Sequence, residues 1–223
     1  MATEMTKIDT SEARAEILRR IRAANGRAAD GAGAAQQWSG IQRDYRRGTN
    51  LSREQMLDLL EDRLRDYDAH VVRATESGVA DAVSKMLSAR DLRRILIPHE
   101  LNPDWLPAGV EFVVDDLASY SELDGFDGVM TASTCAIAIT GSVVLQNVPG
   151  QGRRAASLIP DYHLCLVRVE DVVETVPEAI ARLEPSADLP TTFFAGPSAT
   201  ADIEMTRIKG VHGPRFLDVI LVG

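Results

Sequence analysis

The sequence is poor in cysteine, and this limits the redox chemistry that the chain can hold. Its 223 residues include only two cysteines, Cys135 and Cys165, which do not form a C-x-x-C pair. A metal site built from four thiolates is therefore out of reach of this chain alone. A single disulfide is one alternative, but we expect reduced and largely buried thiols, the usual state of cysteine in the cytoplasm.

Long apolar runs and basic patches are also lacking. The longest apolar runs, such as residues 219–222, are far too short to cross a bilayer, and residues 1–10 lack the apolar stretch of a secretory signal. We therefore expect a cytoplasmic protein. Because the net charge is −9 and the arginine-rich stretch 43–47 is interleaved with acidic and aromatic residues, we expect no nucleic-acid partner.

The sequence does contain enough apolar material for one sizeable core. Hydrophobic residues make up 45% and charged residues 26% of the chain, which is ordinary for a globular protein. Apolar spacing predicts a helix over residues 10–25, and the Gly-, Ala- and Gln-rich stretch 26–40 is typical of a linker or mobile surface loop. We accordingly divide the chain into an N-terminal helix with a flexible linker, residues 1–40, and an α/β domain, residues 41–223.

From residue 51 onward, helix and strand patterns alternate. Ser52 and Gln55 form a capping box, and Leu51 and Met56 occupy the flanking staple positions. Further patterns predict helices at 79–88, 151–158, 177–183 and 200–208, and strands at 70–73, 94–98, 110–114, 128–132, 142–146, 163–169, 191–195 and 217–222. Because such alternation needs crossover connections, it predicts a three-layer α/β fold with a parallel-rich sheet.

The segment that begins Gly196-Pro197 is the first candidate for a ligand site. It follows a predicted strand, and the hydroxyl residues Ser198 and Thr200 lead into the predicted helix. Such a turn can leave free backbone N–H groups at the carboxyl edge of a sheet, where α/β proteins usually bind ligands. The alternative is that Ser198 or Thr200 caps the helix while Asp202 complements its dipole.

A second candidate is His212, which stands between Gly210 and Gly213 shortly before the last strand. The glycines permit an unusual backbone path that presents the imidazole at a loop tip, for acid–base chemistry or ligand binding. A structural histidine hydrogen-bonded to backbone is the alternative. Weaker claims belong to three histidines within or beside strands: His70, His99 and His163.

Residues 131–142 form a third candidate, dense in small and hydroxyl side chains and ending in Thr140, Gly141 and Ser142. This composition suits a backbone that closely approaches a ligand or another strand, and a tight corner before a strand is the alternative. Cys135 would need a nearby base or helix N-terminus to act as a nucleophile, and the sequence shows neither.

Residues 150–155 match the dinucleotide fingerprint G-x-G-x-x-A, with Glu170 about 20 residues further on. This keeps a nicotinamide-dependent dehydrogenase as an alternative. Against it, residues 147–149 separate the strand from the first glycine, and the match comes late in the chain. Arg153 and Arg154 are better suited to pair with a carboxylate or phosphate, either of a ligand or of the protein itself.

Together these segments resemble the lactate utilisation protein C family, the LUD-domain proteins, from about residue 41 to the end. The matching stretches are residues 140–145, 152–154, 157–160, 196–204 and 210–214. The last two form a motif long enough to be specific in a way that a lone glycine triplet is not.

The resemblance implies a core similar to that of glucosamine-6-phosphate deaminase, ribose-5-phosphate isomerase and the CoA transferases. It also implies a part in oxidising L-lactate to pyruvate with two other proteins, at least one of which carries iron-sulfur clusters. We therefore expect no metal or cofactor in this chain and iron-sulfur proteins as its partners.

Many family members carry an acidic residue before the Thr-Gly pair, where this chain has Ile139. Loss of a proton-transfer group there would favour a supportive or binding role.

These observations predict one pocket for a small anion, held by an arginine and by backbone N–H groups near Ser198. Asp202 and His212 are the candidates for catalytic or orienting groups. The predicted ligand-binding residues are Thr140, Gly141, Ser142, Arg153, Arg154, Gly196, Ser198 and Thr200. The main interpretation is a component of a lactate utilisation system. The alternatives are an independent enzyme acting on a phosphosugar, folate or acyl-CoA, and an NAD-dependent dehydrogenase.

Overall fold

The computed structural model of the protein describes residues 11–24, 31–48, 50–200 and 208–223. The chain divides into two compact units, Met1–Tyr45 and Arg46–Gly223. In the first unit, helix α1 spans Ser11–Ala24 and confirms the helix predicted there. No described helix is both long and apolar enough to cross a membrane.

The stretch that we predicted as a linker is helical in part, because helix α2 spans Gly31–Ser39. The prediction of a loop is therefore wrong for these residues. Alanine and glutamine are good helix formers even without an apolar stripe, and Ala34, Ala35, Gln36 and Gln37 lie in the middle of this helix. The division of the chain at residue 40 stays a prediction.

The second unit carries the remaining helices and the strands. Its helices are α3 (Arg53–Asp66), α4 (Val79–Ala89), α5 (Tyr120–Leu123), α6 (Arg154–Leu158) and α7 (Val176–Leu183). Its strands are β1 (His70–Ala74), β2 (Arg94–Ile97), β3 (Glu111–Val114), β4 (Gly128–Thr131), β5 (Cys135–Ile137), β6 (Ser142–Gln146), β7 (Tyr162–Arg168), β8 (Val172–Val173), β9 (Thr191–Phe194), β10 (Ala199–Thr200), β11 (Ile208–Lys209) and β12 (Phe216–Val222).

Six strands form a fully parallel sheet in the order β1-β12-β7-β4-β2-β3. On one face, α4 buries Val79, Val83 and Leu87 against Ile220 of β12 and other strand residues. The opposite face is covered by α3, α5, α6 and a second sheet. Both faces of the central strands β4, β7 and β12 are thus buried, which explains why these strands are near-continuous apolar runs. The predicted three-layer α/β class with a parallel-rich sheet is confirmed.

The second sheet has four strands in the order β8-β5-β6-β9, and β6 runs antiparallel to both of its neighbours. Its inner face packs Ala136, Val143 and Leu145 onto α3 and the parallel sheet. Its outer face packs Ile137 and Val144 against α7. The sequence predicted β6 and β9 as strands but did not predict β5 or a separate sheet.

Helix α3 fixes the path of two glycine segments. The capping box at Ser52 begins the helix as predicted. A Cβ on Gly141 would lie 2.6 Å from the Cβ of Arg63, and a Cβ on Gly196 would lie 2.5 Å from the Cβ of Tyr67. Both glycines also have positive φ angles, which side chains disfavour. The chain therefore approaches α3 closely at two places that only glycine permits.

The predicted helix at 200–208 is wrong at both of its ends. Ala199–Thr200 and Ile208–Lys209 are short strands that pair antiparallel, and residues 201–207 lie outside the described residues. The β-branched side chains of Thr200 and Ile208 favour extended backbone. Asp202, one of the predicted site residues, falls in the part of the chain that is not described.

Candidate functional site

A cavity of about 350 Å³ lies against the amino ends of β7 and β12, beneath strand β9. Three segments that are distant in the sequence line it: α6, the chain from β9 to β10, and the loop before β12. The lining includes Arg154 and Leu158 of α6, His163 of β7, Phe194 of β9, Gly196 and Ser198 of the next loop, and His212 and Leu217 near the carboxyl terminus.

Four of the predicted site residues therefore meet in this cavity: Arg154, Gly196, Ser198 and His212. We expected the site at the carboxyl edge of the parallel sheet, but the cavity does not lie there. That expectation assumed that the strand before Gly196 belongs to the parallel sheet, whereas β9 pairs antiparallel with β6 in the second sheet. The loop after β9 consequently reaches the amino ends of the parallel strands instead.

Ser198 is held tightly by its neighbours. Its backbone N–H donates to the carbonyl of Pro214 at 2.8 Å, and its carbonyl accepts from the N–H of Gly210 at 2.8 Å. Its Oγ accepts from the N–H of His212 at 3.1 Å. Of the backbone N–H groups near Ser198 that we predicted to hold an anion, the one of Ser198 itself is not available, because the returning loop uses it. The hydroxyl proton is what this residue can still donate.

The two neighbouring arginines have different environments. Arg153 donates from Nε and Nη2 to the two carboxylate oxygens of buried Asp115, at 2.7 and 3.0 Å. This hydrogen bonding raises the pKa of Arg153 above its usual value. The guanidinium group is thus engaged within the protein. Arg154 is exposed at the cavity and forms no ion pair with any residue that the structure describes. Arg154 is therefore the arginine available to a ligand.

His163 is the cavity residue that the sequence analysis undervalued. It is buried, its Nε2 lies 2.8 Å from Thr131 Oγ1, and its ring centroid is 5.1 Å from that of Phe194. Burial lowers the pKa of His163 to about 4, so the imidazole is neutral at physiological pH. The sequence signal for His163 was its place as a polar residue inside the apolar run of β7, because such a residue needs a buried hydrogen-bond partner.

The Thr140, Gly141 and Ser142 group does not line the cavity. It forms the tight connection between β5 and β6, where Thr140 Oγ1 donates to Ser142 Oγ at 2.9 Å and Gly141 adopts a φ of 63°. The alternative of a close corner fits this turn. Ile139 lies on the same turn with an exposed side chain, so a carboxylate at that position would not line the cavity either.

Thr200 and Arg153 also lie elsewhere. Thr200 lines a separate cavity of about 250 Å³ with Tyr67 and Lys209, and Arg153 lines a groove beside Pro98. The single pocket predicted for all of these residues is therefore corrected to a smaller set. Residues 140–142 and the loop after β9 adjoin the same sheet but do not share the cavity, because α3 lies directly against the backbone at Gly141.

The dinucleotide fingerprint has a structural role in this fold. The N–H of Gly150 donates to the carbonyl of His99 at 2.9 Å, and its carbonyl accepts from the N–H of Ala132 at 2.8 Å. Gly152 lies so close to Pro98 that a Cβ would approach within 3.0 Å. The preceding strand β6 is antiparallel to its neighbours, so the βαβ unit that the dehydrogenase alternative requires is not formed there.

Both cysteines are free and buried. Burial raises the pKa of Cys135 to about 11 and that of Cys165 to about 12. Both are therefore thiols near neutral pH, which argues against Cys135 as a nucleophile. In the described ranges, no group of three or more His, Cys, Asp and Glu side chains is placed to hold a metal ion.

The geometry defines an α/β protein with a six-stranded parallel sheet and a separate four-stranded sheet, in which Arg154 and the neutral imidazole of His163 line a cavity large enough for a small organic ligand. The family model of the LUD domain matches residues 8–222. The chain belongs to the LUD domain family, as the sequence motifs predicted.

Similar proteins agree with this assignment. The chain is 41% identical over 176 residues to a Lactate utilization protein C of Deinococcus radiodurans, a match that covers 78% of this chain and 82% of that protein. A Lactate utilization protein C of Macrococcus caseolyticus is 24% identical over 189 residues, 78% of this chain and 80% of that protein. The crystal structure of a DUF162 family protein from Deinococcus radiodurans superposes with a TM-score of 0.69 at 36% identity, covering 78% of this chain and 99% of that one.

Proposed function

We propose that this protein is a component of a lactate utilisation system and supports the oxidation of L-lactate to pyruvate. The observation that carries the proposal is the 41% identity, over most of both chains, to a relative named Lactate utilization protein C. The cavity supplies a physical basis, since Arg154 can pair with a carboxylate in the bidentate geometry that guanidinium groups favour.

The division of labour within such a system follows from the side chains. Oxidation of lactate to pyruvate releases two electrons and two protons, which an acceptor must take up. This chain has two cysteines, too few for a cluster of four thiolates. We therefore assign binding and positioning to this chain, and electron transfer to iron-sulfur proteins that bind to it. The protein acts as a non-redox subunit or accessory factor.

Deletion of the gene tests the proposal directly. We expect loss of growth on L-lactate as sole carbon source, normal growth on glucose, and rescue by the unaltered gene. Normal growth of the deletion strain on lactate, with no related gene present, would contradict the proposal. Co-purification tests the partners, because a captured iron-sulfur protein adds its broad visible absorption to the sample.

Two arginine variants connect the cavity to this phenotype. Arg154→Ala should fail to restore growth on lactate while it leaves the urea midpoint unchanged, because its side chain is exposed. Arg153→Ala is the matched control. It should lower the free energy of unfolding by about 2 kcal/mol, since it leaves buried Asp115 without its guanidinium partner. Growth restored fully by Arg154→Ala would remove this arginine from the site.

The second candidate function is an independent enzyme acting on a larger anion, and the size of the cavity favours it. A three-carbon acid occupies roughly 90 Å³ on a scale where one water takes about 30 Å³, so much of a cavity of about 350 Å³ would stay filled with water. Thermal-shift screening against phosphosugars, folates and acyl-CoA esters separates the two functions. A large stabilisation by one of these, together with normal growth on lactate, would favour the enzyme.

A further inference from the structure

A chain of hydrogen bonds leads away from His163 into the core. Thr131 Oγ1 lies 2.8 Å from His163 Nε2 and donates to Cys165 Sγ at 3.7 Å. The Cys165 thiol in turn donates to the carbonyl of Ala132 at 3.8 Å. The chain ends at a carbonyl oxygen, which can only accept. The thiol proton of Cys165 is therefore directed at this carbonyl, which leaves the sulfur to accept from Thr131.

This arrangement favours one tautomer of His163. A threonine hydroxyl has one proton, and when that proton goes to Cys165, Oγ1 must accept from Nε2. The Nε2 atom then carries the imidazole proton, and Nδ1 keeps a lone pair. In the opposite tautomer the hydroxyl would donate to Nε2, and Cys165 would lose its donor. That arrangement makes one hydrogen bond fewer within the core, because the sulfur of Cys165 then accepts none.

We propose that the cavity binds a hydroxy acid with an apolar side chain, and that His163 is its specificity-determining residue. The ligand hydroxyl donates to Nδ1 of His163, and the carboxylate pairs with Arg154. The side chain lies along Leu158, Phe194 and Leu217, which line the same cavity. The choice of a hydroxy acid among hydroxylated anions rests on the proposed function.

The size of the cavity is the reason for proposing an apolar side chain on the ligand. A cavity of about 350 Å³ leaves room beyond a three-carbon acid. The aliphatic and aromatic walls would stabilise a bound hydrocarbon group by removing its surface from water. An oxo acid or an unsubstituted acid of the same shape has no proton to offer to Nδ1, so it should bind more weakly.

The first test measures the tautomer in the unliganded protein. Long-range ¹H–¹⁵N correlation spectra distinguish a protonated imidazole nitrogen from one with a free lone pair. We expect the Nδ1 signal of His163 in the range of an unprotonated nitrogen. A protonated Nδ1 would overturn the proposal. The measurement needs no variant, so it does not depend on the folding of a mutant.

The second test is calorimetry with three acids of one shape: 3-phenyllactate, phenylpyruvate and 3-phenylpropanoate. We expect 3-phenyllactate to bind about tenfold more tightly than either of the others, as one hydrogen bond of about 1.4 kcal/mol predicts. It should also bind more tightly than L-lactate. His163→Phe should remove the preference for the hydroxyl. The control His99→Phe, an exposed residue outside this cavity, should keep it.

The outcomes separate this proposal from the proposed function. Equal affinity for the three acids, no binding of any, or a preference that survives in His163→Phe would overturn the role of His163. Tighter binding of L-lactate than of 3-phenyllactate would overturn the apolar side chain. The deletion strain would still fail to grow on lactate in all of these cases if the proposed function holds.

Discussion

His163 illustrates how one residue can serve both the core and the site. Its ring packs on Phe194, its Nε2 is engaged by Thr131, and it lines the cavity. The sequence placed it correctly in a strand, but strand position alone favours no function. Its place at the cavity depends on β9 and the loop at Ser198, which line the same cavity.

The depressed pKa of His163 makes stability depend on pH. Burial lowers its pKa from the ordinary value of 6.5 to about 4 in the folded protein, so below pH about 6.5 the unfolded chain takes up a proton that the folded protein does not. Stability therefore falls as pH decreases from about 6.5 to about 4, by about 2 kcal/mol at pH 5. Urea unfolding at several pH values measures this change.

The matched variant for this prediction is His163→Phe, whose free energy of unfolding should fall less between pH about 7 and about 5. The other titratable groups beside the ring are the thiol of Cys165 and, around the cavity, Arg154 and His212. They remain in both proteins, so the difference between the two slopes isolates the imidazole. Equal slopes would show that His163 takes up its proton in the folded protein as well.

At the level of elements, the approach of helix α3 to two glycines shapes the second sheet and the cavity loop. The carboxyl end of α3 touches the chain at Gly196, two residues before Ser198. The loop after β9 is consequently held by close backbone contact on one side and by the hydrogen bond to Pro214 on the other. A ligand site on such a loop is fixed in place before the ligand arrives, which reduces the entropy lost on binding.

Gly196→Ala tests this contact. The new Cβ would lie 2.5 Å from Tyr67 and the residue would keep a φ of 74°, so we expect a loss of about 3 kcal/mol in the free energy of unfolding. Gly109→Ala is the control, since Gly109 has a φ of 87° but nothing within 4 Å of its Cβ position. The control should lose only about 1 kcal/mol. Equal losses in chemical denaturation would mean that backbone strain, and not the contact with α3, dominates.

At the scale of the whole molecule, the arrangement of two sheets decides between functions that share a local motif. The G-x-G-x-x-A match follows strand β6 of the second sheet, and its first glycine is hydrogen-bonded to His99 and Ala132. Its backbone N–H is therefore used within the protein. The short helix α6 that follows carries Arg154 to the cavity instead of holding a pyrophosphate.

This arrangement predicts that NAD does not bind at residues 150–154. Titration with NADH, followed by its fluorescence, should show no saturable enhancement at micromolar concentrations. Any weak enhancement should be unchanged in Gly150→Ala, a site with no atom closer than 3.6 Å to the new Cβ. Tight binding that Gly150→Ala abolishes would restore the dehydrogenase alternative.

The sequence by itself determined the local elements and the family. Capping residues and apolar periodicity act over a few residues, so the helix at Ser52, the alternation after it and the strands of the parallel sheet were predictable. The motif around Ser198 and His212 was specific enough to identify the LUD domain. Arg154, Ser198 and His212, which the sequence analysis assigned to one pocket, line the same cavity.

Only the tertiary structure decided which sheet each strand joins and which side chains share a cavity. Strand pairing depends on contacts between residues far apart in the chain, and a short apolar run is compatible with either sheet. The separation of Thr140 from the cavity, the commitment of Arg153 to Asp115 and the exposure of Arg154 all follow from that pairing. The role of His163 does as well, because a buried imidazole acquires its tautomer and its pKa from neighbours that the local sequence does not name.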